Sequence, residues 1–383
     1  MSTLLADREH RVSTVELFFD LVFAFAFTQV TTLLLEHATW GGLGRGLLMI
    51  CALWWAWASY AWLTNAADAG ADPVLAMLLF AAGAQFVAAL AVPEAFGGER
   101  FVFAVAFFAV LAGFVALYAL IGKREADLLA AVARISWPIL SGAALIIAAA
   151  FTPTWWRPAI WLVALVIGFG GPMLMRLDGW RVFPAHFAER HGLIVIIAIG
   201  ESLGSIGFGA RGTALDARVI VAAILGFLAA ASFWLAYFDY ASGGISDLLE
   251  RRSGLARTAF ARDVYTYAHL PMVVGIILFA FGMRTTIGHV GSELRLIPAL
   301  ALCCGPALYL FGFVALRWRA SRSIGRGRPA AAVGFALLTI AATHMPALAA
   351  LGLVTLWWAA LHAYELIGWR EERARRRSTE AQA

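Results

Sequence analysis

The sequence predicts an all-α integral membrane protein of about twelve spanning helices, and three observations carry that expectation. Of 383 residues, 62% are apolar and only 14% charged, where an ordinary soluble domain carries about 25% charged residues. The apolar residues fall in long runs. At about 20 residues per span, twelve spans use roughly 240 residues and leave only short connections and tails, with no room for a large soluble domain. Finally, the basic residues sit between the runs and concentrate on alternate sides, which is how cytoplasmic loops are marked.

The runs lie near 14–37, 43–64, 73–93, 101–122, 133–152, 157–176, 186–208, 217–240, 263–283, 296–317, 329–346 and 349–369. The first is not a cleaved leader: Asp7 and Glu9 precede it and Glu16 and Asp20 lie inside it, which an apolar signal core does not tolerate. The last two form one apolar stretch from Ala330 to Gly368, too long for a single span and broken only at Pro346, which reads as a tight helical hairpin. With the N-terminus inside, 22 of the 29 Lys and Arg fall on the cytoplasmic side. They include Arg8, Arg11, Lys123, Arg124, Arg134, Arg176, Arg190, Arg262, Arg328 and the tail from Arg370. Arg45, Arg100, Arg157, Arg211, Arg218, Arg284 and Arg295 remain outside. An odd number of spans scrambles this separation, so both termini are expected in the cytoplasm.

Several classes are excluded. Lysine occurs once, as Lys123 followed by Arg124, so the chain has no G-x-x-x-x-G-K-[ST] phosphate loop. Cys51, Cys303 and Cys304 lie in apolar segments without C-x-x-C spacing, which indicates neither a disulfide framework nor a zinc ribbon. The basic balance orients the protein against the bilayer and does not mark a nucleic-acid binder. Tryptophans such as Trp54-Trp55, Trp155-Trp156 and Trp357-Trp358 read as interfacial anchors.

Leu111-Ala112-Gly113-Phe114-Val115-Ala116-Leu117 in the fourth run recurs in the tenth as Leu310-Phe311-Gly312-Phe313-Val314-Ala315-Leu316. Glu16 of the first run also overlays Glu189 of the seventh. These matches suggest a six-plus-six duplication with parallel halves, residues 1–183 and 184–369, followed by a basic cytoplasmic tail, 370–383.

A carboxylate at the centre of a spanning helix costs about 2.5–3.5 kcal/mol on insertion scales, so each needs a partner, water or a proton. Glu16 and Asp20 are four apart and share a helix face, to which Thr31 returns. In the seventh run His186, Glu189 and Arg190 share a face and, with His191, enter from the same side; Asp239 is expected at the same level. Two readings stand: an ion or solute pathway, or a salt-bridged structural entrance, the commoner outcome of such a pattern. The histidines and acids are also of the type that ligates metals. Glu201, about 22 Å of rise into its helix, is either a protonatable group in a proton or cation path or a neutral acid bonded to a neighbouring helix. Gly200, Gly204 and Gly207 beside it offer a small-residue face for close helix approach. Gly200-Glu201-Ser202-Leu203-Gly204 matches the G-x-S-x-G elbow of hydrolases but lies inside an apolar helix, where the required strand-to-turn context is missing. His362 and Glu365 share a face in the last run, a spacing that chelates a metal or, more often, makes an interhelical bond. Breakers at Gly170-Gly171-Pro172, Pro271 and Gly305-Pro306 are of the kind that frees backbone groups for ligands.

At Val15-Glu16-Leu17-Phe18-Phe19-Asp20-Leu21-Val22-Phe23, and from Glu189-Arg190-His191-Gly192-Leu193 through Gly200-Glu201-Ser202, the sequence resembles the bacterial low-temperature-requirement protein A family over nearly its whole length. The resemblance implies an integral membrane protein and by itself names no reaction. Arg11 ahead of Phe19-Asp20 is also similar to the first helix of the TMEM-type potassium channels, although the seventh run has no matching Phe-Ser-Asp. The leading expectation is therefore a secondary transporter or channel-like permease for a small solute or ion in the inner (plasma) membrane, with the lipid bilayer as its surroundings. The alternatives are a membrane-embedded enzyme acting on a lipid or hydrophobic substrate, through Glu16, Asp20, His186, Glu189, His191 and Asp239, and a stress-adaptation protein without turnover. The sequence specifies no cofactor, and it is compatible with a homo-oligomer.

Overall fold

A computed structural model describes residues 11–123, 125–239 and 242–380, with side chains through 368. Asp7, Arg8, Glu9 and Arg124, and the side chains of the basic tail from Arg370, lie outside the described residues. Among those described the chain is helical, with no strand. The helices are α1 (Thr14–Glu36), α2 (Trp40–Ala66), α3 (Asp72–Ala91), α4 (Arg100–Gly122), α5 (Ala126–Ala150), α6 (Arg157–Leu174) and α7 (Pro184–Gly209). They continue as α8 (Ala217–Trp234), α9 (Ser242–Glu250), α10 (Gly254–Phe260), α11 (His269–Gly288), α12 (Leu296–Ser321), α13 (Gly327–Ala342) and α14 (Ala347–Glu380).

Among the described residues, eleven helical stretches are long and apolar enough to cross a membrane, with α8 and α9 forming one of them and α10 and α11 another. The eleventh of the twelve expected runs is the exception. Its helix, α13, has 16 residues and so rises only about 24 Å, short of a hydrocarbon core of about 30 Å. The break at Pro346 falls between α13 and α14. Trp357 Nε1 of α14 donates to Ala331 O of α13 at 3.0 Å, and Tyr364 crowds Gly327. As one number rises the other falls, so the two helices form an antiparallel hairpin.

The described helices divide into two units, Met1–Glu201 with Ser242–Leu270 and Ser202–Ala241 with Pro271–Ala383. Within the first, α1 and α7 lie side by side, with Glu16 against His186, Asp20 against Arg190 and Thr28 against Glu201. Both numbers climb together, so the helices run parallel. The start of α1 is set locally: Ser13 and Glu16 form a capping box in which each side chain satisfies the other's backbone N–H. α8 begins on Asp216, whose carboxylate accepts from Arg218 N and Val219 N at 2.9 Å each. Two segments are π-helical, Leu235–Asp239 and Ala261–Ala268, a geometry that recurs at functional positions.

Two expectations about packing are corrected. Trp54, Trp55, Trp57 and Trp358 are buried between helices, while Trp40, Trp137, Trp155 and Trp156 are exposed. Tryptophan's large apolar body suits either location, and the buried ones have partners in the core: Trp54 Nε1 donates to Thr266 O at 2.8 Å. The small-residue face at Gly200, Gly204 and Gly207 makes no close helix contact among the described residues, since a Cβ at Gly200 or Gly207 meets nothing within 4 Å and one at Gly204 meets only Phe208 of its own helix. Gly209, at the end of α7, does pack closely, with a Cβ there 2.7 Å from Arg284 O. Close approach also occurs between α11 and α12 in the second unit, where a Cβ on Gly275 would fall 2.4 Å from Gly305 O. A Cβ on Gly305 would likewise fall 2.6 Å from Gly275 O.

Because the obstructing atoms there are backbone, the helices must separate to admit a side chain. Gly275→Leu is therefore expected to cost about 1–3 kcal/mol by overpacking. Gly200→Ala is expected to be neutral or to gain up to about 1 kcal/mol from helix propensity. Thermal unfolding of the two variants in detergent separates the predictions.

Candidate functional site

The candidate site lies where the first turns of α1 and α7 meet α2 and the end of the Ala261–Ala268 segment. Glu16, Asp20, Asn65, His186, Arg190, His191 and His269 are all 0% exposed. Burying so many polar groups is tolerable only if they satisfy one another, and their accounts differ.

Glu16 is fully engaged. Its Oε2 accepts from Ser13 N–H and from Ser13 Oγ–H at 2.8 Å each, closing the helix cap. Its Oε1 lies 3.0 Å from His186 Nε2 and 3.8 Å from Arg190 Nη1. The tautomer of His186 follows from Asn65. Asn65 Oδ1 accepts from Phe183 N–H at 2.9 Å, which fixes the amide orientation. Its Nδ2 then donates to Phe183 O at 2.9 Å and to His186 Nδ1 at 3.1 Å. A nitrogen that faces an N–H donor carries no proton, so His186 is neutral and donates from Nε2 to Glu16.

Asp20 is half engaged. Its Oδ1 accepts from Trp57 Nε1–H at 2.9 Å and lies 2.9 Å from Arg190 Nη2, while its buried Oδ2 has no hydrogen-bond partner. The Arg190 contacts are ionic, since none of its three nitrogens is aligned for a hydrogen bond. Its guanidinium stands 5.9 Å from the centre of the Trp57 ring. His191 flanks the same indole edge-on at 4.9 Å, with its Nδ1 on Phe187 O at 2.8 Å and its buried Nε2 without a partner. Tyr265 and His269 close that side, their rings 4.9 and 5.4 Å from His191. The π-helical segment positions His269, whose Nδ1 bonds Val264 O five residues back at 2.9 Å.

Counting charge among these described groups gives two carboxylates against one guanidinium, with His186 neutral. A buried excess of one negative charge requires a proton or a cation. The carboxylate oxygen without a hydrogen-bond partner in this cluster is Asp20 Oδ2.

The other expected residues stand apart from this cluster. Glu189 is exposed and accepts from Val12 N–H at 3.1 Å. Asp239 is exposed at the end of the Leu235–Asp239 segment and belongs to the second unit. Glu201 is buried further along α7 and accepts from the Thr28 hydroxyl of α1, an interhelical bond. Glu365 pairs with Arg328 Nε at 2.7 Å, an interhelical ion pair within the second unit. Among the described residues no group of three or more His, Cys, Asp or Glu is placed to hold a metal ion. Trp57, Asn65, Tyr265 and His269 are the participants that the sequence analysis did not assign to the site. The available signals were one amide and one histidine inside otherwise apolar runs.

The family model described as bacterial low temperature requirement A protein matches residues 11–363. The chain belongs to this low temperature requirement A family. It is also similar to the uncharacterized protein RA0937 of Rhizobium meliloti (strain 1021), with 31% identity over 352 residues that cover 88% of this chain and 83% of the relative. No solved structure matches the chain. For this member of the low temperature requirement A family, the two segments that carry the resemblance lie on α1 and α7, the helices that run side by side.

Proposed function

We propose that this protein is a secondary transporter or channel-like permease of the bacterial inner membrane, and that Asp20 carries its coupling or translocated proton. The observation that supports this reading most is the buried Asp20 Oδ2, which has no hydrogen-bond partner in a cluster with two carboxylates and one guanidinium. An isolated structural ion pair has no such surplus. A proton that neutralises Asp20 balances the cluster, and its loss restores the excess, so the two states differ in electrostatic energy and bias the α1–α7 packing differently.

The parallel run of α1 and α7 supports an even number of crossings between their starts, hence two six-span halves with the boundary near residue 183. Twelve crossings then include the short α13 as half of a hairpin, and both termini lie in the cytoplasm. Reporter fusions at Ala126 and Ser246 are expected to read cytoplasmic and those at Gly97 and Gly212 external.

The test is flux. Protein reconstituted into liposomes with an internal pH dye, under a potassium diffusion potential, is expected to pass protons above the rate of empty vesicles. Parallel assays with alkali cations identify a coupled ion. No flux under any gradient removes the transporter reading and leaves the membrane-embedded enzyme, which would use the same acids, and the stress-adaptation protein without turnover.

A further inference from the structure

A second feature of the first unit has no part in that chemistry. A narrow cavity of about 80 Å³ lies between α2, α5, α6 and the Ala261–Ala268 segment. Its interior is apolar, formed by side chains such as Trp55, Phe114, Ile139 and Phe169. Arg134, Arg176 and Arg262 also line it, and Arg134 and Arg176 meet at Asp178.

These arginines are incompletely neutralised. Asp178 is shared, with Oδ1 2.9 Å from Arg176 Nε and Oδ2 3.3 Å from Arg134 Nη2. Asp263 serves Arg262 at 2.7 Å. Three guanidiniums therefore meet two carboxylates. Asp178 lies in the connection before α7, where its own backbone N–H, then Arg176 and Arg134, hold its carboxyl below the usual carboxylate range, so it is ionised at neutral pH. Arg134 Nε is buried without a hydrogen-bond partner. Side-chain exposure falls from 84% at Arg176 through 31% at Arg134 to 17% at Arg262, so Arg176 is the most accessible of the three.

We propose that this cavity binds one anionic phospholipid, with an acyl chain in the apolar slot and the phosphodiester at Arg134 and Arg176. A slot this narrow and apolar suits a flexible hydrocarbon chain and excludes a hydrated solute. One surplus positive charge with a spare buried N–H donor suits a monoanionic phosphate ester, and all three arginines are on the side assigned to the cytoplasm, where basic pockets between membrane helices hold lipid headgroups. A zwitterionic lipid brings its own cation to the same arginines and loses that advantage.

The test is native mass spectrometry of the full-length protein in detergent, titrated with phosphatidylglycerol, with phosphatidylcholine of the same chains, and with the chain-free headgroup glycerophosphoglycerol. The expected result is one retained phosphatidylglycerol, at least tenfold tighter than either comparison ligand. Arg176→Gln, at a side chain too exposed to affect folding, is expected to weaken retention at least fivefold, and Arg134→Gln/Arg176→Gln further. Ile135→Trp, which fills the slot from its half-exposed wall, is expected to weaken phosphatidylglycerol with the arginines intact. Equal retention of the two lipids, headgroup binding as tight as the intact lipid, or retention unchanged in both Arg176→Gln and Ile135→Trp would overturn the proposal.

Discussion

Arg190→Met is expected to destabilise the protein more than any other single change at the α1–α7 contact. Arg190 is fully buried and stands against both Asp20, at 2.9 Å, and Glu16, at 3.8 Å. Methionine fills most of its volume but leaves two buried carboxylates facing each other with no cation. Removing one partner of a buried ion pair costs about 3–5 kcal/mol, because the remaining charge stays desolvated. That is a large share of a stability of about 5–15 kcal/mol. The expected outcome is loss of the monodisperse peak in size-exclusion chromatography, or a thermal midpoint lowered by about 5–15 °C. Adding Asp20→Asn to Arg190→Met removes one of the stranded charges and is expected to restore part of the loss. Full stability of Arg190→Met would mean that the cluster is not charged as counted here.

Asp20→Asn alone has the opposite profile, with a small effect on folding and a large one on transport. Asparagine keeps an oxygen to accept from Trp57 Nε1, and the remaining Glu16 and Arg190 balance one to one. The one new cost is a buried amide N–H in place of the unpartnered Oδ2, so stability is expected to change by less than about 2 kcal/mol. Proton flux in liposomes is expected to fall at least tenfold, since the group that gains and loses the proton is gone. Glu189→Gln is the matched control: that carboxylate is exposed, accepts from Val12 N–H, and is expected to leave flux intact. Loss of flux in both variants, or in neither, would separate the site from Asp20.

The contrast between Glu189 and Arg190 shows what sequence alone could and could not resolve. Depth and residue type were sufficient to mark Glu16, Asp20, His186, Arg190, His191 and Glu201, because ionisable groups inside apolar runs are costly wherever they point. Rotation was not. His186, Glu189 and Arg190 lie in one helical band, yet the i, i+4 pair is only about 40° apart while Glu189 sits about 60° to the other side of His186. A neighbouring helix as close as α1 accepts the first pair and leaves Glu189 at the rim.

Trp57 escaped notice for a different reason. Interfacial and buried tryptophans have the same local sequence, and only the fold reveals that this indole donates to Asp20. Gly200, Gly204 and Gly207 show that a glycine permits close packing without requiring it, since among the described residues no neighbouring helix approaches Gly200 or Gly207 within 4 Å of a Cβ. The membrane class and the apolar runs were legible because they depend on composition summed over many residues, whereas α13 fell short because its length is set by where its hairpin turns.

The most direct test of the central claim is infrared difference spectroscopy of membranes taken between alkaline and acidic buffer, following the stretching band of the neutral carboxylic acid. The account predicts that a band from a buried carboxylic acid appears on acidification in the wild type, is missing in Asp20→Asn and persists in Glu189→Gln, whose exposed carboxylate lies outside the buried cluster. A band that survives unchanged in Asp20→Asn, or that vanishes only in Glu189→Gln, would contradict the assignment of the proton to Asp20.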